Sequence, residues 1–392
     1  MVYKVFSYDR PLTLESGTTL PGYHLAYTTH GRLNTAKDNV VWVFHALTAN
    51  SDPAEWWPGL IGEGRLFDPS RYFIVCVNMP GSCYGSIGPL DNDRSAPATQ
   101  APAPAPYYHD FPLFTPLDMI RAYQPLKDFL GIGKIHIGIG GSMGGQQLLE
   151  WAVEEPETFD FIFPIATNAR HSPWGIAFNT SQRMAIETDS TWTERHPRAG
   201  LKGMKTARAI ALLSYRNYET YEEKQPRSDH FPFEPQHAGD QNPGYSGQTH
   251  GNTGQADRGI TRELWDGAAS YQRYQGEKLA KRFNAFSYYA LSKSMDSHDV
   301  GRGRGGVIKA LQRIRAKTLA IGIESDILFP PTEQQEIASL IPGAAYRSIR
   351  SSYGHDGFLL ESTALTGLID GFLLARDTGT PRLNGQLAVN SF

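Results

Sequence analysis

Only two cysteines, Cys76 and Cys83, occur among the 392 residues, so no disulfide framework is available to hold a fold together. No apolar run approaches the roughly 18 residues needed to span a bilayer, and no membrane is expected as a partner. The N-terminus, Met1-Val-Tyr-Lys-Val-Phe-Ser-Tyr-Asp9, lacks the charged and then apolar regions of a signal peptide. The cytoplasm is the expected compartment. An excess of one charge is missing too: 37 Lys and Arg against 40 Asp and Glu leave −3, which argues against nucleic acid or an anionic surface as partner. No His-Glu-x-x-His or other metal-ligand spacing appears, so no metal is expected. What remains is a chain that is 40% hydrophobic and long enough for one large domain with an inserted subdomain.

Strand and helix signals alternate through the first third. Asn39-Val-Val-Trp-Val-Phe44 and Tyr72-Phe-Ile-Val-Cys-Val77 are continuous apolar runs, as strands buried on both faces require. Helical periodicity over 118–130 stops at Gly131. A strand precedes Ser142, a helix over 146–155 follows it, and 159–165 reads as a further strand. This alternation predicts an α/β fold, a mostly parallel sheet covered by helices. Between about residues 172 and 313 the strand signal disappears and helical segments dominate. It returns at 316–323, followed by a helix over 332–340. The expected layout is a core over 1–171 and 313–378, a helical cap inserted at 172–312, and a C-terminal tail at 379–392. A cap over the C-terminal ends of the strands is where a substrate pocket forms. Two tracts break the pattern: a Pro/Ala-rich stretch at 95–106, expected as an extended surface loop, and a Gly/Gln-rich stretch at 225–258, expected as an irregular excursion.

Residues able to do chemistry gather in Lys134-Ile-His-Ile-Gly-Ile-Gly-Gly-Ser-Met-Gly-Gly145. Here Gly-x-Ser-x-Gly stands between a β-branched run and a helical segment, the strand–turn–helix context of a nucleophile elbow. So tight a turn strains the backbone of Ser142 and lifts its hydroxyl above the sheet, while Gly140 and Gly144 let strand and helix approach. The Met143 N–H then sits at a helix N-terminus, where a developing oxyanion is stabilised. In the α/β-hydrolase order an acid and then a histidine follow the serine, each after a strand. Asp326 follows the strand ending at Ile323, with Glu324 a rival closer to the strand body. His355 lies in Ser351-Ser-Tyr-Gly-His-Asp-Gly357, ahead of a helix expected over 358–374. His355 would take and return a proton near neutral pH, and Asp326 would hold its tautomer and stabilise the imidazolium. The loop Phe44-His-Ala-Leu-Thr48 offers the Leu47 N–H as a second oxyanion donor, with the side chains of Thr48 and Asn50 placed toward the pocket. Gly301-Arg-Gly-Arg-Gly-Gly306 lacks the βα context of a phosphate loop and reads as a flexible basic loop ending a cap helix. Cys83 has no sequence-adjacent base and reads as packed.

Several segments together resemble the homoserine O-acyltransferase family. They are His45-Ala-Leu-Thr-Ala-Asn50, Gly81-Ser-Cys-Tyr-Gly-Ser-Ile-Gly-Pro89, Gly140-Gly-Ser-Met-Gly-Gly145, Ala177-Phe-Asn179 with Gln182-Arg-Met-Ala-Ile186, Ser325-Asp-Ile-Leu-Phe-Pro-Pro331 and Gly354-His-Asp-Gly-Phe-Leu359. They span nearly the whole chain in family order. The resemblance implies the α/β-hydrolase fold and an enzyme of methionine biosynthesis. It implies an acyl-CoA donor, usually acetyl-CoA, with L-homoserine as acceptor and no permanently bound cofactor. It further implies a homodimer formed through the helical cap, and an amino acid held by Arg208, Tyr215 and Asp356. Positions 208 and 215 are two helical turns apart and share a face. Arginine suits the substrate α-carboxylate through a bidentate fork, and Asp356 suits the α-ammonium. Ser82 departs from the family, where a second glycine is more usual before Cys83. The donor therefore stays open between acetyl-CoA and succinyl-CoA, and L-serine, one methylene shorter, is an alternative acceptor. The same triad with water as acceptor would make a serine esterase.

Overall fold

The computed structural model describes residues 2–93, 105–225 and 267–377. Most of the 95–106 loop, nearly all of the 225–258 excursion and the 379–392 tail lie outside the described residues. The strands are β1 (Lys4–Tyr8), β2 (Leu12–Thr13), β3 (Thr19–Leu20), β4 (Tyr23–His30), β5 (Val40–Phe44), β6 (Phe73–Val77), β7 (Ile135–Gly141), β8 (Phe159–Ile165), β9 (Lys317–Ile323) and β10 (Ala345–Ile349). β2 and β3 pair with each other. The remaining eight form one sheet in the order β1-β4-β6-β5-β7-β8-β9-β10. β4 runs antiparallel to both β1 and β6, and every neighbouring pair from β6 to β10 is parallel. The mostly parallel α/β sheet expected from the apolar runs is therefore present. β5 and β6 are buried along their whole length. The edges carry no such run, since β1 fully buries only Phe6 and β10 only Ile349. Hydrophobic periodicity gives strands of that kind no signal.

Helices α1 (Pro53–Trp56), α2 (Pro116–Phe129) and α3 (Met143–Glu154) come before β8. α2 starts on a reciprocal cap: Thr115 Oγ1 accepts from the Asp118 N–H at 3.2 Å, and Asp118 Oδ2 accepts from the Thr115 N–H at 3.0 Å. α3 is buried from Met143 to Val153, and Trp151 meets Trp42 of β5 edge-on at 5.1 Å. Fully burying a large apolar side chain stabilises by roughly 1.5–3 kcal/mol, so contacts of this kind fix α3 on the sheet. Between β8 and β9 the described elements are all helical: α4 (Pro173–Glu187), α5 (Leu201–Tyr215), α6 (Tyr218–Lys224), α7 (Gly267–Ala280), α8 (Ala285–Asp296) and α9 (Val307–Leu311). α5 is central in this insertion, packing on α4 and α7. α10 (Pro331–Leu340), α11 (Gly357–Leu360) and α12 (Ser362–Asp377) complete the chain.

Two expectations need correction. The single helix expected over 358–374 is broken at Glu361, where φ −88° and ψ 48° leave the helical region, and its two pieces are bent 68° apart. The break lets Phe358 reach the turn at Gly141 while Leu365 and Ile369 still join the core. The loop 301–306 is tied down rather than loose. The side chain of Arg304 is only 8% exposed, with Nη1 2.6 Å from Glu150 and Nη2 2.8 Å from Glu154, and Arg302 lies 2.9 Å from Glu15. Glu150 and Glu154 stand one turn apart on α3 and present the guanidinium with a fork. No single helix among the described residues is long and apolar enough to cross a membrane.

Candidate active site

Ser142 joins β7 to α3 with φ 58° and ψ −129°. Such a conformation costs a non-glycine residue roughly 1–3 kcal/mol. The flanking glycines make the turn possible. A Cβ on Gly144 would stand 2.1 Å from the Phe44 carbonyl oxygen, and one on Gly140 would stand 2.5 Å from that of Gly144. The Ser142 N–H donates to the Ile165 carbonyl at 3.0 Å, and Thr167 Oγ1 donates to the Ser142 carbonyl at 2.8 Å. The serine side chain does not cap the helix that follows it, so the hydroxyl is left for chemistry.

His355 lies on a short 3₁₀ turn, Gly354–Asp356, after β10. Its Nδ1 is 2.7 Å from Asp326 Oδ2. The other carboxylate oxygen accepts from the N–H groups of Leu328 at 2.8 Å and Phe329 at 2.9 Å. A carboxylate can only accept, so Nδ1 carries the hydrogen and Nε2 keeps a lone pair, the tautomer a general base needs. The imidazole stacks on Phe329 at 5.1 Å and meets Phe358 at 5.2 Å. Phe358 also fills the space beneath the serine turn, since a Cβ on Gly141 would lie 2.3 Å from its ring. Burial opposes a charge on His355. The charge and hydrogen bond of Asp326, with the charge of Asp356, outweigh it and hold the pKa above the ordinary 6.5. Glu324 faces elsewhere: Oε1 accepts from the Ser348 hydroxyl at 3.0 Å, and Oε2 lies 3.6 Å from Arg350.

Leu47 follows β5, the strand at the switch point of the sheet, between β6 and β7. The close approach of Gly144 to the Phe44 and His45 carbonyls brings its loop against the serine turn. Met143 is the first residue of α3, and the Leu47 N–H donates to no backbone carbonyl among the described residues. His45 braces the loop. Its Nδ1 donates to the Ala46 carbonyl at 2.9 Å, and its Nε2 accepts from the Met79 N–H at 3.1 Å. Burial pushes the His45 pKa down to about 4, so it stays neutral in that role. Thr48 is half-buried, and its carbonyl accepts from Arg282 Nη1 at 2.6 Å. Asn50 does not serve the pocket, because its amide is used within the loop by Glu55 at 2.9 Å and by the Asp52 N–H at 2.8 Å.

α5 ends at Tyr215, whose ring lies 5.8 Å from that of His355. The Arg208 guanidinium stands 5.3 Å from the Tyr215 ring centre. It makes no ion pair among the described residues, and its Nε is buried without a hydrogen-bond partner. A charge held in this way favours an incoming anion. Asp356 is already partnered: Oδ2 lies 3.1 Å from Nε of Arg216. No pattern in the sequence marks Arg216, which follows the last residue of its helix. Burial raises the Tyr215 pKa, Arg208 lowers it and Asp356 raises it, so the three side chains share one space beside His355. Cys83 is no second nucleophile, since burial pushes its thiol up to about 12. Among the described residues no group of three or more His, Cys, Asp or Glu side chains could hold a metal.

A family model for the alpha/beta hydrolase fold matches residues 39–362. A homoserine O-acetyltransferase from Cyclobacterium marinum is 46% identical over 378 residues, covering 95% of this chain and 96% of the relative. Among solved structures, a homoserine O-acetyltransferase from Bacillus anthracis matches with a TM-score of 0.80 at 22% identity, over 95% of this chain and 97% of that one. Esterase E22 matches with a TM-score of 0.77 at 21% identity, over 95% and 99%. At such identities the solved structures speak for the fold alone.

Proposed function

The chain belongs to the homoserine O-acetyltransferase family of the alpha/beta hydrolase fold, and from that premise we propose that it transfers an acetyl group from acetyl-CoA to the γ-hydroxyl of L-homoserine, in methionine biosynthesis. The observation that carries the reading is 46% identity to a homoserine O-acetyltransferase over 95% of the chain. The site residues support a reaction in two halves. In the first, His355 Nε2 takes the Ser142 proton as Oγ adds to the thioester carbonyl. The N–H groups of Met143 and Leu47 donate to the oxyanion. The carbon–sulfur bond then breaks, and the thiolate leaves with the proton from His355 as free CoA. In the second half, Arg208 takes the α-carboxylate of homoserine, and Asp356 and Tyr215 face its other end. His355 removes the γ-hydroxyl proton, the oxygen attacks the acetyl-serine, and Ser142 leaves with that proton. Holding the charged end of the amino acid gives its hydroxyl the advantage of proximity over water. Thr48, next to Leu47 in the chain, would contact the bound substrate from that loop. No step calls for a metal or a resident cofactor, and the proposed compartment is the cytoplasm.

CoA release from acetyl-CoA and, separately, from succinyl-CoA tests this, with L-homoserine, L-serine or no acceptor. Homoserine with acetyl-CoA is expected to be fastest. Serine should be slower by roughly 10–200-fold, the range one methylene commands. Release indifferent to amino acid would make the protein a hydrolase.

The inserted helices, proposed as the cap over 172–312, also carry the proposed homodimer contact. Met184 on α4 and Leu213 on α5 are 58% and 56% exposed, and a second copy would cover both. Placing Asp at both positions is expected to halve the mass measured by light scattering without changing the circular dichroism spectrum. An unchanged mass would put any dimer contact elsewhere.

A further inference from the structure

The proposed oxyanion donor Leu47 sits in a tight turn whose peptide groups are hydrogen-bonded in series. The Ala49 N–H closes the turn on the Ala46 carbonyl at 3.0 Å, with Leu47 and Thr48 as its two central residues. A peptide unit joins one residue's carbonyl to the next residue's N–H, so two units are chained here. The Thr48 carbonyl and the Ala49 N–H belong to the first. The Ala46 carbonyl and the Leu47 N–H belong to the second. At the head of the chain stands a cation: Nη1 of Arg282, in the loop between α7 and α8, donates to the Thr48 carbonyl at 2.6 Å. His45 Nδ1 gives the Ala46 carbonyl a second donor at 2.9 Å. Arg282 is exposed, but its place is fixed. Nη1 also donates to the Tyr84 hydroxyl, Cys83 Sγ donates to the Arg282 carbonyl at 3.5 Å, and Phe283 meets Tyr84 edge-on at 5.7 Å.

From this arrangement we infer that Arg282 is a positioning residue of the oxyanion site, acting on the Leu47 N–H through two hydrogen-bonded peptide units. The inference rests on the reading above, that Leu47 donates to the oxyanion. Hydrogen bonds in a chain polarise one another, and a carbonyl that accepts makes the N–H of its own peptide a stronger donor. A charge-assisted bond at the head is stronger than a neutral one. Here every bond runs the same way, from the guanidinium toward the Leu47 N–H. That N–H donates to no backbone carbonyl among the described residues, so the polarisation is left for an incoming group. An oxyanion gains more from it than a neutral carbonyl does. The effect therefore falls on the transition state rather than on substrate binding.

The test follows acylation of Ser142 in pre-steady-state bursts, with acetyl-CoA and with 4-nitrophenyl acetate, an ester that carries no part of CoA. Arg282→Met removes the charge and keeps much of the stem. It is expected to slow acylation about tenfold with both donors and to leave their KM values little changed, a smaller loss than the ~10²–10³-fold of a missing oxyanion donor. Arg282→Lys restores a charged donor and should recover most of the rate with both. Should the methionine variant fold poorly by circular dichroism, Arg282→Gln, a neutral donor, takes its place. A loss confined to acetyl-CoA and carried by KM would assign Arg282 to the phosphates of CoA and overturn the inference. Unchanged acylation with both donors would overturn it too. So would equal losses in the lysine and methionine variants, which would mark packing rather than charge. Bursts that survive Ser142→Ala would remove the acyl-serine itself, and the inference with it. A parent whose CoA release ignores homoserine fails at the acceptor of the proposed function, and the comparison of acylation rates stands.

Discussion

An enzyme carrying Ser142→Ala is expected to release CoA at least ~10⁴-fold more slowly than the parent, with the stimulation by homoserine gone. The substitution removes one oxygen and little else. His355 stays held by Asp326 at 2.7 Å, and the amides of Leu47 and Met143 stay where they are. Such a site still binds and polarises a thioester but cannot form the acyl-enzyme. A hydrolase that used His355 to activate water directly would keep most of its rate, so the size of the loss separates covalent from direct attack. Stability should hardly follow activity. Alanine inherits the strained φ of 58°, whereas Ser142→Gly escapes it and should be more stable by roughly 1 kcal/mol or more while equally inactive. Thermal unfolding beside steady-state kinetics reads both effects. An alanine variant that melts far below the parent would put folding rather than chemistry behind the loss.

Ser142, Asp326 and His355 are legible in the sequence because each stands at the end of a strand or beside a glycine turn, and such signals are local. The elbow is clearest, since residues on both sides of the serine must be glycine for backbones as close as Gly144 and Phe44. The choice of Asp326 over Glu324 is harder. Only Ser325 stands between them, and only the packing shows Glu324 turned to Ser348 and Arg350. Chain order alone cannot supply partners brought together from afar. Tyr288 meets Gln182 across 106 residues, and Arg302 meets Glu15 across 287. The apparent continuous helix over 358–374 misleads for another reason. Apolar residues recur on both sides of Glu361 with no glycine or proline at the break, while the bend follows from two separate packing demands, Phe358 under the serine turn and Leu365 on the core. The edge strands β1 and β10 bury one residue each, so periodicity has nothing to read there.

Asp326→Asn is expected to lower kcat by roughly 10³–10⁴-fold while leaving the fold intact, and the backbone explains why so small a change should matter. Oδ1 accepts from the N–H groups of Leu328 and Phe329 at 2.8 and 2.9 Å. In asparagine only the carbonyl oxygen can take those two donors, which forces the amide nitrogen into the place of Oδ2, beside His355 Nδ1. That nitrogen donates, so Nδ1 must accept and the imidazole proton moves to Nε2. With its proton on Nε2, the ring can no longer act as the proposed base for Ser142. The residual activity should also change its pH dependence. In the parent, His355 must be neutral to act as base, and its pKa is held above 6.5 against the opposing effect of burial, chiefly by the charge and hydrogen bond of Asp326. Activity should therefore fall as pH drops through a value above 6.5. With Asp326 neutralised, burial is left with less to oppose it, and the acid limb of kcat/KM should move to lower pH. Glu324→Gln is the matched control, since its carboxylate faces Ser348 and Arg350, and it should keep full activity with the parent's acid limb. If the Glu324 variant lost activity and the Asp326 variant kept it, the role of the acid would pass to Glu324.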